Sequence, residues 1–476
     1  MTMDNHVTVH ETHSGIVLLI GDRAYKIKKP LDLGFLNFAT VQARALACRR
    51  ELDLNRRLAP DVYLDVATMT SSDGQPCEYV LIMRRMPEDR RLSTMVRRGD
   101  DVADQLRSIA RIMAQFHSSA ERSPVISANL NAAPLRERWR GNFDAARSFR
   151  GTTLPATMYD EIERLALTYV DGRHVLFQER DKAGYGVDGH GDLLADDIFC
   201  LPDHPRILDC LDFDAKLRWL DVNDDVAFLA MDLERLGHAD LAALFLAWYA
   251  EFSGNHAPPS LQHHYIAYRA FVRAAVSCIR AAQGAPEYTE TALVCAQLAL
   301  SHLKQSEVRL IVVGGSPGTG KTTIARALAE HLDYVLLSSD AIRKEGAAVA
   351  ADICYNAEAK HATYRALLDR AEQALVRGQS VIADATWSEE QTRTAVAELA
   401  KKTSSRLTVL ECRVSAAVSA DRAQRRHESG TDLSDADATV ARSLAAQWQE
   451  WPTAIGIDTS ASIEQSVHDA LVALGA

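Results

Sequence analysis

The sequence predicts a multidomain α/β chain: a small strand-rich lobe, then a helical lobe, then a parallel sheet wrapped by crossover helices. Three observations carry this. The chain has 476 residues, about three times a typical domain of roughly 150 residues. Beyond residue 305, apolar runs near 309–314, 334–338, 380–384 and 406–411 alternate with helical stretches, the rhythm of strands joined by crossovers. The first 86 residues instead hold short β-rich runs at 16–20, 23–27 and 79–83 around a single helical stretch.

Composition supports ordinary folded domains. Apolar residues make up 47% and charged residues 25%, which excludes disordered, fibrous and membrane classes. The longest apolar runs fall far short of the roughly 20 residues that cross a bilayer. The start of the chain has neither a basic segment nor an apolar stretch before a cleavage site. The eight cysteines stand singly with no C-x-x-C pair, against zinc sites and disulfide frameworks. A cytoplasmic location and no membrane partner are therefore expected. Residues 306–476 hold 18 basic and 23 acidic side chains, the rest 35 and 41, so neither part has the positive excess of a duplex-binding domain.

Along the chain, residues 39–58 have helical spacing, with Val41, Ala45, Leu46, Leu52 and Leu58 apolar among Arg and Glu. Pro87 closes this lobe. From Asp101 the pattern is helical, with Val102, Leu106, Ile109, Met113 and Phe116 on one face. Further helices are expected at 225–236, 239–252 and 261–281, broken by His256-Ala257-Pro258-Pro259. No repeat or low-complexity linker interrupts the chain; residues 283–290 come nearest. The expected division is 1–304, with a small lobe of about 1–87 and a helical lobe of about 88–304, and then 305–476.

The apolar strand at 310–314 runs directly into Gly315-Ser316-Pro317-Gly318-Thr319-Gly320-Lys321-Thr322-Thr323, a complete G-x-x-x-x-G-K-T followed by a helix. Such glycines let backbone N–H groups turn inward around phosphates at the positive end of a helix. Lys321 would reach the β and γ phosphates of ATP, and Thr322 would hold Mg²⁺. Asp340 and Asp384 each follow an expected strand, where strand ends face a nucleotide. Asp340 is the candidate to orient or deprotonate an acceptor hydroxyl, and Asp384 to support the metal; the competing role for each is a helix N-cap. Arg343 could grip an anionic acceptor. Arg422, Arg425 and Arg426 have the spacing of a cationic lid, with Arg422 and Arg426 as the phosphate contacts; a plain solvated face is the competing role. These residues resemble the P-loop kinases of small molecules and polynucleotide 5′ ends, a group including gluconate kinase-like, zeta toxin-like and polynucleotide kinase-like proteins. The resemblance covers about 170 residues.

In the first half the strongest signal is His190-Gly191-Asp192, followed by Asp196-Asp197 and by Asp209 within Ile207-Leu208-Asp209. Two acid-bearing turns sit beside strand-like residues, and a hairpin would bring Asp192 and Asp209 together. Carboxylates that converge make sense with Mg²⁺ between them, leaving one for an acceptor hydroxyl.

These residues resemble the aminoglycoside phosphotransferase group, whose two-lobed fold is that of protein kinases. The resemblance implies Asp192 as base or orienting acid and Asp197 and Asp209 as metal ligands. In the small lobe, Ala24-Tyr25-Lys26-Ile27-Lys28 looks like the strand bearing the phosphate lysine, and Arg50-Glu51 like the helix bearing its partner. Lys26 and Lys28 share a face by alternation; Lys26 is preferred on local pattern. Position 197 is Asp where the group has Asn, and only His13-Ser14-Gly15 stands where a Gly-rich loop belongs. The order of halves resembles a bacterial group of bifunctional proteins, and the resemblance spans nearly the whole chain.

The expected activity is ATP- and Mg²⁺-dependent phosphoryl transfer at two nucleotide sites to small-molecule hydroxyls. Tyr265, Tyr268, Arg269 and Arg273 make a neutral or anionic acceptor fit the first half if their helix faces the cleft. The alternative is a regulatory ATP-binding protein with a P-loop switch and a degenerate kinase-like sensor. Nucleic-acid ends are a disfavoured acceptor of the second half.

Overall fold

The computed structural model describes residues 7–11, 15–31, 37–347, 357–429 and 451–475. Contacts divide the chain into two units. The first comprises Met1–Glu163, Phe177–Ala257 and Gln262–His302; the second comprises Arg164–Leu176, Pro258–Leu261 and Leu303–Ala476.

The first unit opens with a five-stranded antiparallel sheet of β1 (Thr8–Glu11), β2 (Gly15–Ile20), β3 (Arg23–Lys28), β4 (Tyr63–Thr70) and β5 (Pro76–Arg84), in the order β1-β2-β3-β5-β4. The expected runs form β2, β3 and β5. Exposed β1 and β4, exposed over its last three residues, lack the apolar alternation that would have marked them. The helix Val41–Asn55 starts where Thr40 accepts a hydrogen bond from Ala43 N, a side-chain N-cap. Its Leu52 packs with Val62, Tyr63, Leu81, Phe199 and Leu208.

In the helical lobe, the helix Ala103–Ser119 buries Leu106, Ile109, Met113 and Phe116 as their spacing requires. The helix Val222–Arg235 is buried from Val222 through Leu233. Its Asp224, Asp225 and Asp232 therefore need partners inside the protein. Short strands complete the lobe: β6 (Gly186–Asp188), β7 (Ile198–Cys200), β8 (Pro205–Ile207) and β9 (Trp219–Asp221), with β7 and β8 forming the expected hairpin.

The second unit is a parallel sheet of β10 (Arg309–Gly314), β11 (Val335–Ser338), β12 (Val381–Asp384), β13 (Arg406–Arg413) and β14 (Ile455–Asp458), ordered β11-β12-β10-β13-β14. Ile311, Val313, Ile324, Leu328, Ile382, Leu410 and Ile457 form its core. The order reverses at β10, and ligand crevices open at the carboxyl ends of strands flanking such a point. Strand β14 carries only four residues, one of them Gly456, and was not expected.

Residues 164–176 join this unit through Arg173. Its guanidinium is buried and donates to the carbonyls of Leu375 at 2.6 Å and Thr403 at 3.0 Å. Among the described residues no carboxylate balances it, and burial pulls its pKa down to about 10. Among the described residues no helix is long and apolar enough to cross a membrane.

Candidate active sites

In the second unit, β10 ends at Gly314 and the chain turns through 315–320 into the helix Lys321–Leu332. Gly315, Gly318 and Gly320 all have positive φ. At Gly318 the requirement is double: φ is +86°, and a Cβ would lie 2.2 Å from the Ser419 carbonyl oxygen. Side chains fix the loop's peptide planes: Thr319 Oγ1 donates to Ser316 O at 2.8 Å, Ser419 Oγ to Pro317 O at 2.8 Å, and Thr459 Oγ1 to Thr319 O at 2.6 Å. The helix N-terminus beyond the loop favours anions.

Lys321 is buried beside this loop. Thr322 Oγ1 donates to Asp384 Oδ2 at 2.9 Å, and Ser338 Oγ reaches the same oxygen at 3.3 Å. Parallel registers put Val313, Ser338 and Asp384 level at one edge of the sheet. Asp384 Oδ1 is buried with no hydrogen-bond partner among the described residues. Burial raises the Asp384 pKa against the opposing charge of Lys321. A hydroxyl beside a desolvated carboxylate with an unused oxygen fits Mg²⁺, which takes few protein ligands and completes its shell with phosphate and water.

Asp340 lies in the first turn of the helix Ser339–Ala347 and pairs with Arg343 at 2.9 Å. Arg422 donates to Thr459 O at 2.9 Å and lines a cavity of about 370 Å³ with Gly318, Gly320 and Thr323. The side chains of Arg425 and Arg426 lie outside the described residues.

In the first unit, Glu51 is the hub. Its Oε1 meets Lys26 Nζ at 2.7 Å and its Oε2 meets Lys28 Nζ at 2.7 Å. Burial opposes its ionisation, yet Lys26 and Lys28 together hold its pKa near 2. Lys26 also reaches Asp209 Oδ1 at 3.2 Å, while Lys28 reaches Asp212 at 2.9 Å. Lys26 is thus the lysine that meets the candidate metal acid. Asp209 holds φ of +61°, uncommon for a residue with a Cβ, and its backbone N donates to the Tyr63 hydroxyl at 3.1 Å. His13 and Ser14, the only candidates for a phosphate loop here, lie outside the described residues.

The His190-Gly191-Asp192 turn hangs from the buried helix. Asp225 accepts from His190 N at 2.7 Å and Gly191 N at 2.8 Å, and it meets His117 Nε2 at 3.0 Å. At Gly191, φ is +84° and a Cβ would press on Arg218 Cγ at 3.1 Å. Burial lifts the Asp192 pKa to about 6; Arg273 opposes this and Asp209 adds to it. Burial, then Asp209 and Asp192, also raise Asp197. Among the described residues no three His, Cys, Asp or Glu side chains form a ready metal cage.

Arg269, expected on the acceptor side, is buried and committed to the fold, donating to Asp224 Oδ1 at 2.7 Å and Gly191 O at 3.3 Å. Tyr265 and Tyr268 are buried as well. Sequence reasoning missed Asp225, His117, Tyr63, Ser338 and Thr459. Only Asp225 left a trace, as one of three acids in an otherwise apolar helical run at 222–233.

The second unit carries a complete phosphate-binding loop at the head of a parallel sheet, and the first a five-stranded antiparallel sheet followed by a helical lobe. A family model described as an AAA domain matches residues 310–450. The chain belongs to the family of uncharacterized protein Rv2004c of Mycobacterium tuberculosis, with which it is 41% identical over 479 aligned positions, 99% of this chain and 96% of that protein. Among solved structures it is similar to a choline/ethanolamine kinase family protein from Mesorhizobium loti, at 15% identity and TM-score 0.39, over 64% of this chain and 94% of that one. A gluconokinase from Sinorhizobium meliloti 1021 matches at 17% identity and TM-score 0.29, over 36% of this chain and 92% of that one.

Proposed function

We propose that the chain is an ATP- and Mg²⁺-dependent phosphotransferase with two nucleotide sites, each moving a γ-phosphoryl group to a hydroxyl of a small molecule. The observation that carries this is the second unit's phosphate loop, with Thr322 and Asp384 joined at 2.9 Å beneath it. In that unit Lys321 follows the γ-phosphate, the loop N–H groups hold the β-phosphate, and Arg422 lies where the nucleotide would enter. Thr322 and Asp384 would hold Mg²⁺, which when bound neutralises charge on the transferring group. Asp340 orients the acceptor hydroxyl. Its pairing with Arg343 leaves that arginine less suited to clamp a nucleic-acid end.

In the first unit Lys26, steadied by Glu51, meets the phosphates; Asp197 and Asp209 would hold the metal. Asp192 accepts the hydroxyl proton, and its pKa near 6 suits a base that must take up and release a proton near neutrality. A second reading rests on Asp197: a third carboxylate beside Asp192 and Asp209 favours a first unit that binds nucleotide and regulates the second without transferring phosphate.

The test is transfer from γ-labelled ATP by the full chain, by Lys321→Ala and by Asp192→Asn, against sugars, nucleosides, oligonucleotide ends and aminoglycosides. Two acceptor classes, one lost with each variant, support two active sites. Transfer lost only with Lys321→Ala supports the regulatory reading, and hydrolysis with no transfer at all sinks the proposal.

A further inference from the structure

In the first unit, a cavity of about 640 Å³ opens between one face of the helix Val41–Asn55 and the segment Asp212–Phe213. Part of its helical wall is a single stripe, Ala43, Leu46, Ala47, Arg50 and Leu54, at the three- and four-residue spacing of one helix face. Among the described residues, Phe38 and Arg218 line it as well, but none of Lys26, Glu51, Asp192, Asp197 and Asp209 does. The cavity is therefore distinct from the candidate nucleotide and metal site, and its volume is that of a small-molecule pocket.

Its lining combines apolar surface with uncompensated positive charge. Leu46 is 69% exposed and Phe213 41%, two large apolar side chains in one concavity instead of scattered singly over the surface. Beside them stand Arg49 and Arg50, both exposed. Among the described residues no carboxylate pairs with either, although Asp53 follows at the spacing where a pair could form. The remaining charges of the lining are neutralised inside the protein: Arg218 meets Asp188 at 2.7 Å, and Asp212 meets Lys28 at 2.9 Å. Two guanidiniums against the single carboxylate of Asp53 leave the cavity net positive. A guanidinium fork matches a carboxylate or phosphate, and the leucines and Phe213 match an apolar body.

We propose that this cavity binds a small organic anion, an apolar body bearing a phosphate or carboxylate. The body lies against Leu46, Leu54 and Phe213, and the anionic group meets Arg49 and Arg50. The site is independent of the phosphotransferase reading, since it needs neither a bound nucleotide nor transfer.

The experiment uses the full chain with a non-hydrolysable ATP analogue and Mg²⁺ in excess, so that the phosphate-binding sites are occupied. Four matched probes are brought to dialysis equilibrium with it: 1-naphthyl phosphate, 1-naphthoate, 1-naphthalenemethanol and 1-naphthylmethylamine. At least one anion should bind about tenfold or more tighter than the alcohol, and the amine weakest; which anion wins separates phosphate from carboxylate recognition. Arg49→Ala with Arg50→Ala should remove that preference, and lysine at both positions should restore part of it. Leu46→Ser should weaken the anions and the alcohol alike. All three positions are exposed, so thermal unfolding of the variants should match the parent chain. The proposal is overturned if no anion binds, if the alcohol or the amine binds as tightly, or if the double alanine variant keeps the preference. An affinity untouched by Leu46→Ser overturns it too. So does displacement of the anion as the ATP analogue is raised, because the anion would then occupy a nucleotide site.

Discussion

In the second unit the phosphates of a nucleotide would meet backbone: three glycines with positive φ, one helix end and one buried lysine. In the first unit they would meet side chains: Lys26 held by Glu51, with Asp209 delivered by the hairpin on the far side of the same contact. The backbone site is specified over about ten consecutive residues, with Ser419 and Thr459 holding two of its carbonyls from farther along the chain. The side-chain site is specified over some 180 residues, the separation of Lys26 and Asp209, and exists only when both lobes are folded. The first should fail abruptly when its loop is damaged. The second should fail by losing charge balance, with stability and metal affinity affected together.

The largest effect that tests this contrast is Lys321→Ala. It should cut transfer by the second unit by about 10² or more, the usual loss for an electrostatic group aimed at a transferring phosphate, and leave nucleotide binding by the first unit unchanged. Steady-state rates with each unit's acceptor measure it, and equal loss in both would break the contrast.

Next is Glu51→Ala, which strips the partner from two lysines. Removing one member of a buried ion pair costs on the order of 3 kcal/mol or more, and here both partners are left. Urea unfolding followed by fluorescence should show a transition of the first unit moved to lower urea while that of the second stays in place. An unmoved first transition would mean that the lysines find other partners.

Arg173→Ala is the counterpart in the second unit. It removes the buried donor shared by the carbonyls of Leu375 and Thr403, which Gly378 N and Ser405 Oγ still reach, a loss of about 0.5–1.5 kcal/mol per hydrogen bond. Now the second unit's transition should move and the first unit's remain; the reverse would assign residues 164–176 to the other unit.

The smallest effect concerns the acids. Without metal, Asp192 holds its proton to about pH 6 instead of 3.8. The folded state therefore favours its protonated form, and that stabilisation is complete below pH about 4 and lost as pH rises to 6. Mg²⁺ binding near pH 6 should displace protons from Asp192 and Asp197, detectable as acidification of a weakly buffered solution. Asp197→Asn should reduce the yield and weaken Mg²⁺ modestly, and Asp197→Ala should weaken it further. Superimposable metal titrations for all three proteins would remove Asp197 from the ligand set.

Most of the architecture was legible because it is written locally. Strands β2, β3, β5 and β10–β13 announce themselves as apolar runs, and the helix Ala103–Ser119 by its spacing. Strands β1, β4 and β14 did not, since exposure or brevity removes the alternation that pattern reading uses. The candidate acids were nameable for the same local reason, but what positions them was not. Nothing in the sequence around Asp225 says that it will hold two backbone N–H groups of a turn 34 residues earlier. Lys26 and Lys28 share a strand face and both bind Glu51, so alternation could never rank them. The reach to Asp209 distinguishes them, and that is a tertiary fact. The proposed division at residue 305 likewise follows the onset of the parallel-sheet pattern, which cannot register that residues 164–176 pack with the later unit.

The Arg173 clasp has a consequence for how the chain is made. Its acceptor carbonyls lie 202 and 230 residues downstream. At synthesis rates of about 5–20 residues per second, roughly 10 to 50 s pass between the appearance of the arginine and that of its partners. Through that interval the first unit can acquire nearly all of its residues, while the segment 164–176 waits with no sheet to pack on. A nascent chain stalled before residue 403 would therefore carry a folded first unit with an exposed apolar segment inserted in it, the kind of surface that recruits chaperones during translation.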